Sequence, residues 1–202
     1  MKKQFLLREF FRLCPDGICD VEVLNEQERK LVREEKAMFL IGVMQRADAE
    51  NGNGRTYPRE ILEREMKNYE QVIAESRSVG ELDHPEESVI NLKNVSHLVT
   101  KIWWNGNDVM GKIRLLDTPS GKIAQDLIRN GVTLGISSRS LGSVKESKGK
   151  TVVEDDLQLI CFDLVSEPST KGAFMNLREA KQKGALTKSE KLHKLLFDIV
   201  GK

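Results

Sequence analysis

Apolar residues recur along the first half of the chain in two patterns, one typical of strands and one typical of helices. Residues 38–45 (MFLIGVMQ) are apolar on both faces and predict a central strand. Residues 58–75 carry apolar side chains at helical spacing, which predicts a helix that begins at Pro58 and buries one face. The stretch between them, NGNGRTYP (51–58), predicts a tight loop because Asn and Gly tolerate positive φ.

Strand patterns dominate the second half of the chain. Residues 95–104 and 109–115 predict two strands, and Asn105-Gly106 between them is a strong hairpin signal. Shorter apolar runs predict further strands at residues 21–24, 151–153 and 157–165. Hairpins are thus more evident than repeated βαβ units, which favours an α+β domain with a largely antiparallel sheet or barrel.

Three further segments have weaker helical patterns. The charged residues 26–36 suit a solvated helix or a loop. TPSGK (118–122) predicts a turn, after which residues 123–130 predict a short helix with Ile123 among its inward residues and Gly131 as its left-handed end. The C-terminus predicts a helix from capping-box spacing and an apolar stripe, formed by Thr187, Glu190, Leu192, Leu195, Leu196 and Ile199.

Composition narrows the class of protein. The 202 residues include 32 Lys+Arg and 31 Asp+Glu, so the net charge of +1 does not favour nucleic acid as a direct partner. The cysteines, Cys14, Cys19 and Cys161, are odd in number and follow no metal pattern, which favours a reducing compartment. No window approaches the roughly 18 apolar residues of a membrane span, and the expected protein is soluble and intracellular.

The segment LGISSRSLGS (134–143) holds hydroxyls and a guanidinium beside an apolar run. A nucleophilic serine needs a base, a group that orients the base, and donors for the oxyanion. Ser137 is followed by the amides of Ser138 and Arg139, and Arg139 supplies positive charge, so both are candidate oxyanion supports. Taken alone, the segment favours a polar strand end or a phosphate-type turn over a nucleophile.

Two residue types supply candidate partners for such a serine. Of the three histidines, His84 lies in a Gly- and Pro-bounded loop where a base is exposed, whereas His97 follows a strand pattern and His193 stands between lysines. Asp163 lies in an apolar strand, where a carboxylate is costly unless it is paired. Arg139 as an ion pair and an imidazole are equally good partners for it, and the histidines lack metal-ligand spacing, so no metal or other cofactor is predicted.

Several segments together resemble, in the right order, the prohead core protein proteases of tailed bacteriophages. The resemblance runs from about residue 38 to residue 169 and rests on NGNGRTYP (51–58), GELDHP (80–85), WWNGNDVMGK (103–112), LGISSRSLGS (134–143) and FDLVSEPS (162–169). It implies a fold like that of the herpesvirus maturation proteases, a mainly antiparallel β-barrel surrounded by helices. It also implies three parts: an N-terminal segment of uncertain role (1–37), a protease core (38–170) and a helical tail (171–202).

The resemblance implies a serine endopeptidase that cleaves scaffold, core and capsid proteins inside the procapsid, in the host cytoplasm. Ser137 corresponds to the family's nucleophile and His84 to its base. Asp163 lies roughly where the herpesvirus relatives place a second histidine, so it is the first candidate for the third residue, followed by His97 and Glu81. A homo-oligomer is left open, and neither nucleic acid nor membrane is expected as a direct partner.

Two other classes and one processing event stay open. The chain could be an inactive scaffold component with the same fold, or an unrelated anion-binding module.

Proteases that this chain resembles cut after Glu when a bulky apolar residue lies two positions earlier. Triplets of that kind occur at residues 7–9, 24–26, 61–63 and 177–179, and the last follows a break rich in Pro, Ser and Gly, which favours self-cleavage after Glu179.

Overall fold

The computed structural model describes residues 5–11, 24–85, 87–147, 149–166 and 175–178. Three α-helices lie in this part of the chain, together with a 3₁₀ turn at Leu92–Asn94: α1 (Glu26–Glu35), α2 (Arg59–Ala74) and α3 (Pro119–Arg129). The strands are β1 (Phe5–Phe11), β2 (Phe39–Arg46), β3 (Arg55–Thr56), β4 (Val79–Glu81), β5 (Val95–Asn105), β6 (Asp108–Leu115), β7 (Gly135–Gly142), β8 (Val144–Ser147), β9 (Lys150–Val153), β10 (Gln158–Val165) and β11 (Asn176–Arg178).

These strands form three sheets. The largest has the order β11-β2-β6-β5-β4, a second has the order β1-β7-β10, and a small third sheet has the order β3-β9-β8. Every ladder is antiparallel except that between β3 and β9. The predicted α+β class with a largely antiparallel sheet is therefore confirmed.

One backbone bridge joins the two larger sheets among the described strands. A single parallel bridge joins Leu82, just after β4, to Leu164 of β10. A closed barrel would need a second junction at the other ends of these sheets, and no ladder among the described strands joins β1 to β2 or β11. The predicted barrel is thus not detected in the described part of the chain, where the strands form separate sheets.

The core lies around β2, which the sequence correctly predicts as a central strand. Its residues are buried from Phe39 to Gln45, and it lies between β6 and β11. Met44 of β2 packs so closely on β6 that a Cβ at Gly111 would lie 1.7 Å from its sulfur, so a larger residue there would displace the Met44 side chain. On the other side α2 buries Tyr69, whose ring meets that of Phe162 edge-on with centroids 5.4 Å apart.

The helices near the N-terminal part of the core agree with their sequence patterns. α2 starts at Arg59 with Pro58 as its N-cap, one residue from the predicted start. The charged stretch is a helix because Asn25 and Glu28 form a reciprocal capping box at its start. Glu28 also pairs with the buried Lys112 of β6 at 2.5 Å, which ties α1 to the largest sheet.

The prediction for α3 is wrong at its start. TPSGK is the beginning of the helix and not a separate turn, because the Thr118 side chain accepts a hydrogen bond from the N–H of Gly121. The predicted inward position of Ile123 is also wrong: Ile123 is 54% exposed, whereas its neighbour Ala124 is buried. Gly131 follows α3 with φ +82°, the left-handed conformation predicted for the end of this helix.

Several predictions fall outside the described residues. These are the cysteines at 14 and 19, most of the predicted strand at residues 21–24, and the C-terminal helix with its stripe. Among the residues that the structure describes, no helix is long and apolar enough to cross a membrane.

Candidate active site

The serine-rich segment forms an uninterrupted strand, β7, in the middle of its sheet. The interpretation of this segment as a strand end or a turn is therefore wrong. Alternation along the strand places Ser137 and Arg139 on one face and Ser138 on the other. On that second face the Ser138 hydroxyl accepts a hydrogen bond from Gln45 of β2 at 3.1 Å.

The pairing of β7 with β10 brings an acidic residue beside Ser137. Asp163 lies directly opposite Ser137, and Cys161 lies opposite Arg139, with a bulge between Leu159 and Cys161. Residues opposite each other in an antiparallel pair share a face, so the hydroxyl, carboxylate and guanidinium meet on one side of the sheet.

His84 reaches this face from the loop that follows β4. The N–H of Asp83 donates to the Leu164 carbonyl at 2.7 Å, next to the Leu82–Leu164 bridge, so the loop is held against the end of β10. Asp83 adopts φ +70°, and its carboxylate accepts the His84 N–H at 3.0 Å. This tight turn directs the imidazole back over Asp163 and Ser137.

The three side chains lie in contact one after another, from the serine oxygen through the imidazole to the carboxylate. His84 Nε2 lies 2.7 Å from Ser137 Oγ, and His84 Nδ1 lies 2.9 Å from Asp163 Oδ2. With the ring proton on Nδ1, that N–H donates to the carboxylate and Nε2 accepts the serine hydroxyl. The arrangement is that of a base poised to take the hydroxyl proton, with a carboxylate that fixes its tautomer.

Arg139 lies behind Asp163 and is fully buried. Its Nε lies 3.0 Å from Asp163 Oδ2, and its Nη2 lies 3.1 Å from Asp163 Oδ1 and 2.8 Å from Glu81 Oε1. Asp163 therefore has both partners that the sequence offered as alternatives, the arginine and an imidazole. Because the guanidinium is committed to two buried carboxylates, its side chain is not directed at an oxyanion as predicted.

The charges around Asp163 outweigh its burial. Burial acts to raise the pKa of Asp163, but hydrogen bonding from His84, the Arg139 charge and the Glu81 N–H together hold that pKa below its ordinary value. Burial likewise acts to lower the pKa of Arg139, and its anionic neighbours raise it further than burial lowers it. The carboxylate and the guanidinium are therefore both charged at neutral pH.

The same buried charges hold the histidine loop at several points. Arg139 Nη1 donates to the Glu87 carbonyl at 2.8 Å, and Glu81 Oε1 accepts the Asn91 N–H at 3.0 Å. Sequence reasoning missed these contacts, because nothing local marks a backbone group as the partner of a residue 52 positions away. It also missed Gln45, although a lone amide in an apolar strand is a detectable signal.

The two alternative third residues have other partners. His97 is fully buried on β5, with Nε2 3.0 Å from the Phe162 carbonyl and Nδ1 2.9 Å from Ser96 Oγ. Burial lowers the pKa of His97 to about 4, so the ring is neutral at pH 7. Glu81 pairs with Arg139. Of the three candidates, Asp163 is the one that lies against His84 Nδ1.

No cluster of His, Cys, Asp or Glu within the described residues has the arrangement of a metal site. The side chains around Ser137 instead hold one another through hydrogen bonds and ion pairs. The chemistry that this arrangement supports is proton transfer from a hydroxyl followed by nucleophilic attack.

Comparisons with known proteins cover the part of the chain that holds this candidate site. A model of the family described as prohead core protein serine protease matches residues 15–184. The chain is 32% identical to the prohead core protein protease of Enterobacteria phage T4 over 173 residues, which are 82% of this chain and 81% of the relative. The solved structure of the bacteriophage T4 capsid assembly protease matches with a TM-score of 0.67 and 28% identity, covering 81% of this chain and 98% of that chain.

Proposed function

Because the chain belongs to the prohead core protein serine protease family, it is a serine peptidase of phage capsid maturation, and we propose that Ser137, His84 and Asp163 perform its peptide hydrolysis. The observation that carries this assignment is the series of close contacts from Ser137 Oγ through both ring nitrogens of His84 to Asp163. The resemblance stated from the sequence is thereby confirmed at the level of the family.

The proposed reaction is acyl transfer in two steps. His84 Nε2 takes the Ser137 proton while Oγ attacks the peptide carbonyl, and the protonated ring then gives that proton to the leaving amine. A water molecule, deprotonated by the same nitrogen, cleaves the acyl-enzyme and restores the serine. Asp163 stabilises the imidazolium in both steps, because it stays ionised against His84 Nδ1.

Supporting roles are assigned to the two residues after Ser137. One of the backbone amides of Ser138 and Arg139 is the proposed oxyanion donor, since both follow the nucleophile directly and point to opposite edges of β7. The Arg139 side chain acts as a positioning residue, because its contacts go to Asp163, Glu81 and the Glu87 carbonyl. It holds the carboxylate ionised and the histidine loop in place.

The family implies phage core and capsid proteins as substrates and the procapsid as the place of action. Beyond that, we propose cleavage of scaffold in the host cytoplasm, a homo-oligomer, and a fold shared with the herpesvirus maturation proteases. The last is supported by the antiparallel sheets wrapped by helices, and superposition on such a protease tests it.

A serine-directed fluorophosphonate tests the assignment directly. We expect the full chain to be labelled at Ser137, with Ser137→Ala unlabelled and Ser140→Ala labelled as in the natural chain. A folded natural chain that takes no label, and that leaves scaffold intact, would favour the inactive scaffold component or the anion-binding module.

Self-processing of the tail is proposed separately. Leu177 and Arg178 belong to β11, which pairs with β2, so cleavage after Glu179 would leave β11 in the sheet and release residues 180–202. Intact masses of the natural chain and Ser137→Ala after incubation test it. Loss of that segment from the natural chain alone supports the proposal, and an unchanged mass while added scaffold is cut contradicts it.

A further inference from the structure

Ser137 is completely buried in this conformation. Its exposed fraction is 0%, and the strand that carries it is paired on both edges, with β10 on one side and β1 on the other. In the ladder with β1, Phe10 is the residue directly opposite Ser137. The N-terminal strand therefore runs alongside the proposed nucleophile.

Burial of this kind is incompatible with peptide hydrolysis without some movement. A carbonyl carbon must come within about 3–3.5 Å of the attacking oxygen, in line with its lone pair. No part of the Ser137 side chain contacts solvent, so a substrate has no approach until one of the neighbouring elements leaves.

The neighbours of Ser137 differ in what their departure would destroy. β10 carries Asp163, and the loop after β4 carries His84, so moving either would break the series of contacts. β1 contributes no residue to that series and, among the described strands, pairs with β7 alone. β1 is therefore the element that can leave while the site stays intact.

The edge that β1 would vacate suits an extended peptide. In a strand paired on both sides, successive N–H and C=O groups point to opposite edges, so one of the two amides after Ser137 faces β1. An incoming peptide can form the same antiparallel ladder, as in recognition by strand addition. It would run past Ser137 in the register that Phe10 now holds, beside a newly available amide donor.

We infer that β1 occupies the binding place of the substrate, and that a cleavable peptide enters as an extended strand that displaces β1 from β7. This inference rests on the proposed function of Ser137. It assigns the substrate site to the β1 edge of β7 and makes the N-terminal segment a competitor for that site.

Hydrogen exchange on full-length Ser137→Ala tests the displacement without turnover. The probe is a synthetic peptide spanning a junction that the natural chain cuts in its scaffold. At saturating peptide we expect amide protection across Phe5–Phe11 to fall at least about tenfold while that of β10 is kept. Unchanged or increased protection of Phe5–Phe11 with bound peptide would overturn the inference.

A reversible crosslink tests the requirement in the active chain. Leu7 and Ser140 are directly opposite each other, and cross-strand pairs are close enough for a disulfide, so Leu7→Cys with Ser140→Cys can lock β1 on β7. We expect the oxidised form to lose about 100-fold in cleavage and in fluorophosphonate labelling, and reduction to restore both. Leu7→Cys alone, treated with the same oxidant, controls for oxidation of the natural cysteines.

The outcomes separate the two proposals. Full cleavage by the crosslinked form, with labelling at Ser137, would overturn the strand exchange and leave the proposed function intact. Failure of the natural chain to be labelled at all would overturn both. If the crosslinked pair is inactive even when reduced, the hydrogen-exchange result on Ser137→Ala decides alone.

Discussion

Two histidines lie near Asp163, and they differ in nearly everything that matters for chemistry. His84 is in a loop, and its two ring nitrogens contact a hydroxyl and a carboxylate. His97 is near the start of β5, and its nitrogens contact a neighbouring serine and a backbone carbonyl. Proximity to a carboxylate is thus a poor guide to a base, whereas the backbone element that carries the ring is a good one.

The difference between His84 and His97 has a steric origin as well as an electrostatic one. A Cβ at Gly80 would lie 2.4 Å from His97 Nε2 and 1.9 Å from the Phe162 carbonyl, so the His97 ring is packed between two strands. Such packing strips the ring of water and disfavours its charge. His84 has 7% of its side chain exposed, and its Nδ1 lies 2.9 Å from the ionised Asp163.

The largest effect expected is loss of either member of the proton-transfer pair. Ser137→Ala and His84→Ala should each lower cleavage of the cognate scaffold by about 10⁴- to 10⁶-fold, because both supply chemistry. Both chains should remain folded, which thermal unfolding checks. Near-normal processing by either folded variant would remove the distinction between the two histidines.

Asp163→Asn should cost about 10⁴ in kcat, because an amide cannot stabilise the imidazolium and can hold the wrong tautomer. His97→Gln should cost far less in the same assay. If the ranking were reversed, His97 would be the orienting residue and Asp163 a structural one.

Arg139→Lys should lower kcat by about 10- to 100-fold, since a point charge cannot replace a guanidinium that contacts two carboxylates. Weaker pairing leaves burial less opposed, so the pKa of Asp163 should rise and the acid limb of the kcat profile should move to higher pH. Arg129→Lys, at an exposed pair with Asp126, is the matched control and should leave the profile unchanged. An unshifted acid limb in Arg139→Lys would contradict the positioning role.

The smallest effect on activity is expected at His97, whose contribution is to stability. Its pKa is lowered from 6.5 to about 4, so above pH 6.5 the ring is neutral whether the chain is folded or not. As the pH falls from about 6.5 towards 4, the unfolded chain binds a proton that the folded chain does not, and the free energy of unfolding falls by about 3 kcal/mol. Urea unfolding should show this fall reduced in His97→Gln; an equal fall in both chains would contradict it.

The sequence could predict the residues of the candidate site better than their arrangement. Asp163 is recognisable as a carboxylate in an apolar strand, His84 by its Gly- and Pro-bounded loop and Ser137 by the family resemblance, and the structure brings the three together. The contact of Arg139 with Asp163 depends on the register of β7 against β10, which no local pattern specifies. The same limit explains why the predicted barrel is not detected among the described strands. Closure of a barrel depends on pairing between the edge strands of distant sheets, which no local pattern specifies.

Errors in the helices and strands have local physical reasons. Thr118 was assigned to a turn because its neighbours Pro and Gly are typical of turns, yet Pro is also favoured in the first turn of a helix. The sequence predicts a strand end or a turn at β7 because hydroxyls are scarce in sheet interiors. There they are satisfied by partners on other strands, such as Gln45, that only the folded chain supplies.

The Glu81 and Asp163 contact joins residues 82 positions apart, and the Ser137 and His84 contact joins residues 53 apart. Contacts between such distant parts of a chain close large loops, which costs chain entropy. A newly synthesised chain therefore lacks the assembled site until Asp163 has been made and β10 has paired with β7. Topology in this way keeps the site apart in a partly synthesised chain, independently of any inhibitor.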